Sequence, residues 1–263
     1  MVRTLIALIF VLAFFAGLGF LGWYLVEEKI RDKPEYRLNA DNITVSPPPI
    51  WVSEQFVEEV LRTSGLNQTG SLLDNTLPHQ LAEAFVAHPW VERVEQVEPR
   101  YPSGAVVRLI YRTPVALVEI PGRGIFPVDR HGVVLPSEYL TETISDRMSE
   151  HLLIQGIQTL PLGSVGMPWG NPLVPLGAQL AEALADIAEP LNLARIVSTT
   201  EATPSGTRAV WHVRTTAGTA FHWGTFVRDD PNTETKKRRL RNLREQFRSL
   251  DNVPEYFRDL SRE

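Results

Sequence analysis

The sequence predicts an α+β protein with three parts. These are an N-terminal single transmembrane helix, a small domain with the order strand, helix, helix, strand, strand (βααββ), and a mixed or antiparallel β-sheet domain with flanking helices. Three features of the sequence support this prediction. An uncharged apolar run lies near the amino terminus, and it is followed by hydrophobic periodicities typical of a strand, two helices and two strands. The second half contains short strand-like segments separated by Gly and Pro. With 263 residues, 43% hydrophobic and 22% charged, the chain has the balance of a folded protein rather than a disordered or collagenous one.

The apolar run predicts a membrane anchor. Leu5 to Val26 is a run of 22 residues without Asp, Glu, Lys or Arg. At about 1.5 Å per residue, such a helix reaches roughly 33 Å and can cross a hydrocarbon core of about 30 Å. The alternative, a cleaved signal peptide, has a shorter apolar stretch and a small-x-small cleavage site, which Trp23 to Glu27 does not provide. We therefore predict a cytoplasmic tail at 1–4, a signal anchor embedded in the lipid bilayer at 5–26 and a linker at 27–41, although the flanking bases do not orient the anchor.

Residues 42–113 form the predicted βααββ domain. Apolar positions alternate in its strands and recur every three or four residues in its helices. The simplest closed packing is a three-stranded sheet with both helices on one face. The predicted elements are a strand at Ile43 to Val45, a helix from Ser53 to Gly65, a helix from Thr76 to His88, and strands at Val91 to Glu98 and Ala105 to Arg112.

Residues 114–263 form the predicted β domain, which ends in an amphipathic helix. Gly156 to Pro175 is rich in Gly and Pro and predicts an irregular loop. The predicted strands are Val115 to Glu119, Ile125 to Asp129, Val133 to Leu135, Ala194 to Thr199, Ala209 to Thr215 and Thr219 to Trp223, and the helices are Leu176 to Glu189 and Thr235 to Leu250.

Few residue patterns in the chain are typical of catalysis. There is no cysteine, G-x-S-x-G, P-loop or H-E-x-x-H. Gly17 to Gly22 reads G-x-G-x-x-G, but inside an apolar run it indicates a lipid-facing or helix-packing surface rather than a dinucleotide site. His212 and His222 fall on facing predicted strands and are the only plausible metal pair, with two ordinary sheet histidines as the favoured interpretation. We predict no enzyme activity, no cofactor and no metal.

The last predicted helix is strongly basic in a protein of net charge -5. Seven bases lie on it against the single acid Glu245, opposite an apolar stripe. A solvated helix face and a protein-binding surface are the two leading interpretations, and nucleic acid or anionic lipid comes last. The bases are Lys236, Lys237, Arg238, Arg239, Arg241, Arg244 and Arg248.

Six segments, in this order, carry a family resemblance. They are Asn42 to Val45 ahead of the Ser53 helix, Phe85 to Val97 with His88-Pro89-Trp90-Val91 inside it, Pro102 to Ala116, Phe126 to Val134, Gly218 to Gly224, and Lys237 to Leu243. Together they resemble the FtsQ/DivIB family of bacterial cell-division proteins over nearly the whole chain. The resemblance implies that the first domain is a POTRA domain and that the protein is a non-enzymatic divisome scaffold, which recruits and links septal membrane proteins during bacterial cell division.

The same resemblance implies a location and partners. The location is the bacterial inner (cytoplasmic) membrane, single-pass, with the C-terminal domains outside the cytoplasm and enrichment at the division septum. The partners are other divisome membrane proteins, an FtsB/DivIC-like and FtsL-like coiled-coil pair among them, and no nucleic acid.

Partner binding is expected at the end of the chain. Family members usually add a strand after the last helix, which binds the FtsB/DivIC partner by sheet augmentation. Here Leu250 to Glu263 follows that helix, and Val253 to Phe257 is a short strand candidate that contains a proline. Core packing remains the alternative role for Leu243 and Phe247. The candidate partner-binding residues are Leu240, Arg241, Leu243, Arg244, Phe247, Val253, Tyr256 and Phe257.

Two other functions stay open at this point. One is a POTRA-bearing envelope assembly or secretion factor. The other is an anchored envelope enzyme, which a metal at His212 and His222 would favour.

Overall fold

The computed structural model describes residues 13–20, 34–140, 151–204, 206–228 and 230–261. The chain divides into two compact units, Met1–Tyr111 and Arg112–Glu263, here called the N-terminal and C-terminal units. The division falls two residues before the boundary predicted after Thr113. Each unit contains a mixed sheet together with helices, so the predicted α+β class is confirmed.

The predicted membrane anchor is contradicted by the structure. Most of Leu5 to Val26 lies outside the described residues, and the described part, 13–20, is helical. Among the helices in the described ranges, none has both the length and the apolar composition that crossing a bilayer requires. The predicted transmembrane helix, its bilayer contact and the inner-membrane location that depends on them are therefore corrected.

The N-terminal unit contains a three-stranded sheet in the order β1-β3-β2. Strand β1 runs parallel to β3, and β2 runs antiparallel to it. The elements follow the predicted order, with one short helix, α2, that was not predicted. They are β1 (Ile43–Val45), α1 (Phe56–Ser64), α2 (Leu66–Thr69), α3 (Leu77–Val86), β2 (Val91–Arg100) and β3 (Gly104–Tyr111).

Helix ends in this unit have clear local causes. Gly65 adopts a left-handed conformation at the end of α1, with φ of 75°, which glycine adopts without a steric penalty. Pro78 lies in the first turn of α3, where its missing N–H costs nothing. Phe56 of α1 then packs on Phe85 of α3, with ring centroids 5.6 Å apart. Both rings are buried and anchor the helices to each other.

The C-terminal unit is built on a six-stranded sheet in the order β5-β4-β6-β7-β8-β9. The central strands β4, β6 and β7 are parallel, and the pairs β4–β5, β7–β8 and β8–β9 are antiparallel. The elements are β4 (Ala116–Ile120), β5 (Gly124–Val128), β6 (Leu152–Gln155), α4 (Leu173–Ala188), β7 (Leu193–Thr203), β8 (Gly206–Thr215), β9 (Ala220–Gly224) and α5 (Thr233–Phe247).

Two predictions for this unit are corrected. Strand β6 was not predicted, and Val133 to Leu135 is not a strand. Val133 and Val134 form only isolated bridges, to Pro168 and Val128 respectively. The bridge of Val133 is closed by the N–H of Val134, which donates to Met167, and the N–H of Trp169, which donates to Gly132.

Asp129 closes the turn that follows β5. One carboxylate oxygen accepts hydrogen bonds from the N–H groups of His131 at 2.8 Å and Val133 at 2.9 Å. The other oxygen lies 2.6 Å from Nη1 of Arg112. This nearly buried ion pair connects Arg112, the first residue of the C-terminal unit, to the turn that follows strand β5.

Candidate functional site

Helix α5 is held in place by an apolar stripe and by the charge pairs of a buried lysine. Leu240 and Leu243 lie in the core of the C-terminal unit. Lys237 is also buried, and its Nζ lies 2.6 Å from Asp186 of α4 and 3.0 Å from Glu234. Burial alone would lower the pKa of Lys237, but its hydrogen bonds and attraction to Asp186 and Glu234 outweigh that effect and raise the pKa. Lys237 therefore stays charged, and its ion pair with Asp186 connects α5 to α4.

The other bases of α5 divide into two groups. Arg241 donates to the same Asp186 at 3.1 Å, and Lys236 lies 3.6 Å from Asp230 and 5.1 Å from the centre of the Trp223 ring. These side chains stabilise the packing of α5. Arg244 and Arg248, by contrast, are exposed to solvent. Only part of the basic run is thus presented outward.

The segment after α5 covers the end of the core instead of forming the predicted strand. Val253 is completely buried. The residues around it form two single 3₁₀ turns, Leu250–Asn252 and Glu255–Phe257. Pro254 has no N–H to donate to a ladder, which disfavours a strand at this point. The Val253 to Phe257 strand candidate is therefore wrong.

A contact with the sheet appears a few residues later. The N–H of His222 in β9 donates to the carbonyl of Arg258 at 2.8 Å, and the carbonyl of His222 accepts from the N–H of Leu260 at 2.8 Å. Leu260 is buried, so the contact also has an apolar anchor. The segment pairs in parallel with β9, at one edge of the sheet, through a single bridge. The sequence analysis missed this pairing, because an isolated leucine at position 260 has no periodic partner.

Three of the predicted partner-binding residues belong to the core. Leu240, Leu243 and Val253 are buried against the sheet and helices of the C-terminal unit. Their side chains pack inside the unit and are not exposed at its surface. For Leu243 the structure favours the core-packing alternative.

Of the remaining five candidates, Arg241 pairs with Asp186 of α4, and the other four form an exposed or half-exposed group. Phe257 stacks between Phe247, at 5.8 Å, and Tyr256, at 4.3 Å, as measured between ring centroids. Tyr256 is 77% exposed although it is a large aromatic residue. We call Arg244, Phe247, Tyr256 and Phe257 the carboxyl-terminal surface. It combines an aromatic cluster with the outward face of α5.

Asp251 fixes the turn that supports this surface. Its carboxylate accepts a hydrogen bond of 2.5 Å from the hydroxyl of Thr215 at the end of β8. Hydrogen bonds from Thr215, Thr219 and Ser249 stabilise the charged form and lower the pKa of Asp251 below its ordinary value of 3.8. Asp251 therefore contributes most to folding when it is ionised.

The Asp251 interaction predicts a specific loss of stability in acid. Because its folded-state pKa is depressed, the stabilisation is fully present above the unfolded pKa near 3.8 and is lost as pH falls through the folded pKa. We expect Asp251→Asn to be less stable than the wild type at pH 7 and to lose less stability on acidification. Urea denaturation between pH 7 and pH 2.5 measures both effects, with Glu255→Gln in the exposed neighbouring turn as control. Parallel stability curves for the wild type and Asp251→Asn would contradict this role.

The two histidines singled out in the sequence lie opposite each other in the β8–β9 ladder, as the facing strands predicted. No group of three or more His, Cys, Asp or Glu within the described parts of the chain is arranged to hold a metal ion. The C-terminal unit also has a cleft of about 360 Å³, whose lining includes Arg130, Glu182 and Asp230. Arg130 lies 3.5 Å from Glu182, and Asp230 pairs with Lys236, so charges in this cleft compensate each other.

Comparison of the sequence with protein-family models gives no match, and comparison with curated proteins gives no significant match.

Proposed function

We propose that the chain is a non-enzymatic scaffold of bacterial cell division, which recruits and links septal membrane proteins through its carboxyl-terminal surface. The observation that carries the proposal is the exposed Tyr256, stacked on Phe257 next to the outward face of α5. The resemblance to the FtsQ/DivIB family supplies the biological setting. Its implied POTRA domain is consistent with the order of the N-terminal unit, in which α1 and α3 lie at the two predicted helices and the short α2 is added between them.

The composition of the carboxyl-terminal surface supports recognition of a protein. Tyrosine and arginine are enriched among the residues that dominate binding energy, because they combine a large contact area with directed hydrogen bonds. Tyr256 and Phe257 provide the apolar contact area, and the exposed Arg244 provides a charge at its margin. An arginine at the margin of an interface increases the association rate and fixes the register of an acidic partner.

The contacts of the segment after α5 favour side-chain recognition over strand addition at this point. The N–H and the carbonyl of His222 both bond to residues of the same chain. A partner strand cannot use these two groups unless it displaces the segment around Asp259. A helix of the proposed FtsB/DivIC-like and FtsL-like coiled-coil pair instead fits a surface of aromatic anchors with a flanking base, since helical partners present rows of side chains.

Binding of purified proteins tests the proposal. We expect the full chain to bind the coiled-coil pair from the same bacterium, and Tyr256→Ala to raise the dissociation constant about 30-fold, the effect of a residue worth about 2 kcal/mol. Arg244→Glu is expected to weaken binding chiefly by slowing association, because the altered charge lies at the margin. Biolayer interferometry at two salt concentrations measures both rate constants.

Matched controls lie in the N-terminal unit. Tyr101 is 68% exposed and Arg62 is exposed on α1, so Tyr101→Ala and Arg62→Glu repeat the same chemical changes away from the surface. Both are expected to leave the affinity unchanged. Equal affinities for the wild type and Tyr256→Ala, or a loss as large in the two controls, would overturn the assignment of this surface.

A further inference from the structure

The side chains of His212 and His222 meet on the sheet of the C-terminal unit. The two residues are register partners in the β8–β9 ladder. Nε2 of His212 lies 3.2 Å from Nδ1 of His222, and the ring centroids are 4.9 Å apart. Paired backbone positions alone do not require this closeness, because side chains of opposite residues can also diverge. The two nitrogens face each other at hydrogen-bond distance.

The distance between these nitrogens matches that of two ligands on one zinc ion. Zinc binds histidine nitrogen at about 2.0–2.1 Å with tetrahedral angles, which places two ligand nitrogens roughly 3.3 Å apart. The observed 3.2 Å is close to that separation. In the metal-free pair, one ring donates a proton to the other across the same distance.

The other ring nitrogen of His212 also has a hydrogen-bond partner. Its Nδ1 lies 3.3 Å from the hydroxyl of Thr199 on β7. If Nδ1 donates to this hydroxyl, the lone pair is on Nε2, the atom that faces His222. A hydrogen bond to the far nitrogen is the usual way in which proteins orient a ligating histidine.

Burial and the neighbouring charges change the pKa of His212 in opposite directions. Burial, with His222 and Arg214 next, lowers the pKa of His212, and Glu201 opposes them. Glu201 also lies 3.7 Å from Nδ1 of His222 and adds negative charge at that end of the pair.

We propose that His212 and His222 form a two-histidine binding site for a divalent zinc-like cation, with the remaining coordination positions open to water. The site supplies two protein ligands, fewer than the three-residue clusters of which the described ranges contain none. Bound metal would join β8 to the edge strand β9. It would thereby stabilise the strand whose His222 backbone holds Arg258 and Leu260. The inference goes beyond the scaffold proposal and does not depend on it.

Titration of the full chain with Zn²⁺ alone tests the site. We expect saturable binding of one ion by the wild type, and loss of that binding in His212→Ala and in His222→Ala. Thr199→Val, which removes the supporting hydroxyl and keeps the side-chain shape, is expected to weaken binding about tenfold. His79→Ala is the control, since His79 is exposed on α3 and pairs only locally with Glu83 among the contacts of the described residues. Isothermal titration calorimetry gives the affinities.

A second measurement separates loss of ligands from loss of fold. In nitrogen-15 spectra of the histidine rings, Zn²⁺ is expected to shift Nε2 of His212 and Nδ1 of His222 and to leave His79 unchanged. The melting temperature of the wild type is expected to rise with Zn²⁺, whereas those of His212→Ala and His222→Ala stay constant. The proposal would be overturned if the wild type showed no saturable binding, or if His212→Ala and His222→Ala bound Zn²⁺ with the affinity of the wild type.

Discussion

Replacing Asp129 with alanine is expected to lower the free energy of unfolding of the C-terminal unit by about 3–5 kcal/mol, the cost of breaking a buried ion pair by removing one partner. The carboxylate of Asp129 is 3% exposed and the side chain of Arg112 is 15% exposed. The substitution therefore leaves a guanidinium largely shielded from water without its counter-charge. It also removes the acceptor for the N–H groups of His131 and Val133, which shape the turn after β5.

A double-mutant cycle separates these contributions. Arg112→Ala is expected to cost less than Asp129→Ala, because the carboxylate keeps its two backbone donors. The double variant should cost less than the sum of the two single variants. Urea denaturation followed by tryptophan fluorescence measures all three, since the C-terminal unit contains the buried Trp169, Trp211 and Trp223.

A surface ion pair provides the control for Asp129. Glu98 lies 3.0 Å from Arg100 on the exposed side of β2. Glu98→Ala is expected to change stability by less than about 1 kcal/mol, because solvent screens such pairs. A cost for Asp129→Ala as small as that for Glu98→Ala would show that the buried pair does not anchor Arg112.

Replacing Leu240 with alanine is the second substitution with a large expected effect. Leu240 is 0% exposed, and its side chain fills the contact of α5 with the core. Truncating a fully buried leucine costs about 2–5 kcal/mol, through lost burial and the cavity that remains. Because Leu240 does not reach the surface, any loss of partner binding by this variant should follow its unfolding and disappear at temperatures where it is folded.

For Tyr256→Ala we expect the opposite result, a loss of binding without a loss of stability, and this variant serves as the comparison. It is exposed, so Tyr256→Ala is expected to change stability by less than about 0.5 kcal/mol while it reduces binding. The two variants thus separate the core side of α5 from the carboxyl-terminal surface. Binding that is lost in folded Leu240→Ala and retained in Tyr256→Ala would contradict this division.

The antiparallel and helical parts of the fold could be predicted from periodicity. Helix α3 appears where Thr76, Pro78 and the apolar spacing indicated it, and strands β8 and β9 face each other across the predicted Gly218 turn. Strand β6 could not be predicted in the same way. It is a four-residue strand between two parallel neighbours, so Leu152, Leu153 and Ile154 are all buried and do not alternate with polar residues.

The candidate site was only partly predictable, for a physical reason. The stripe of Leu240 and Leu243 shows which side of α5 is apolar, but helical spacing does not say whether a core or a partner covers it. Lys237 illustrates the same limit for charge, since the lysine is buried between Asp186 and Glu234. The apolar run at 5–26 is the clearest example, because its composition predicted a spanning helix that the described residues do not contain.

Localisation during growth tests the central claim most directly. A fluorescent fusion of the full chain, expressed from its own promoter in the organism that makes it, is expected to concentrate at division sites, and depletion is expected to give undivided, filamentous cells. The combined Tyr256→Ala and Arg244→Glu variant should be as abundant as the wild type, yet fail to restore division, whereas Tyr101→Ala combined with Arg62→Glu should restore it. Uniform fluorescence of the wild-type fusion, together with normal division after depletion, would contradict a role as a division scaffold.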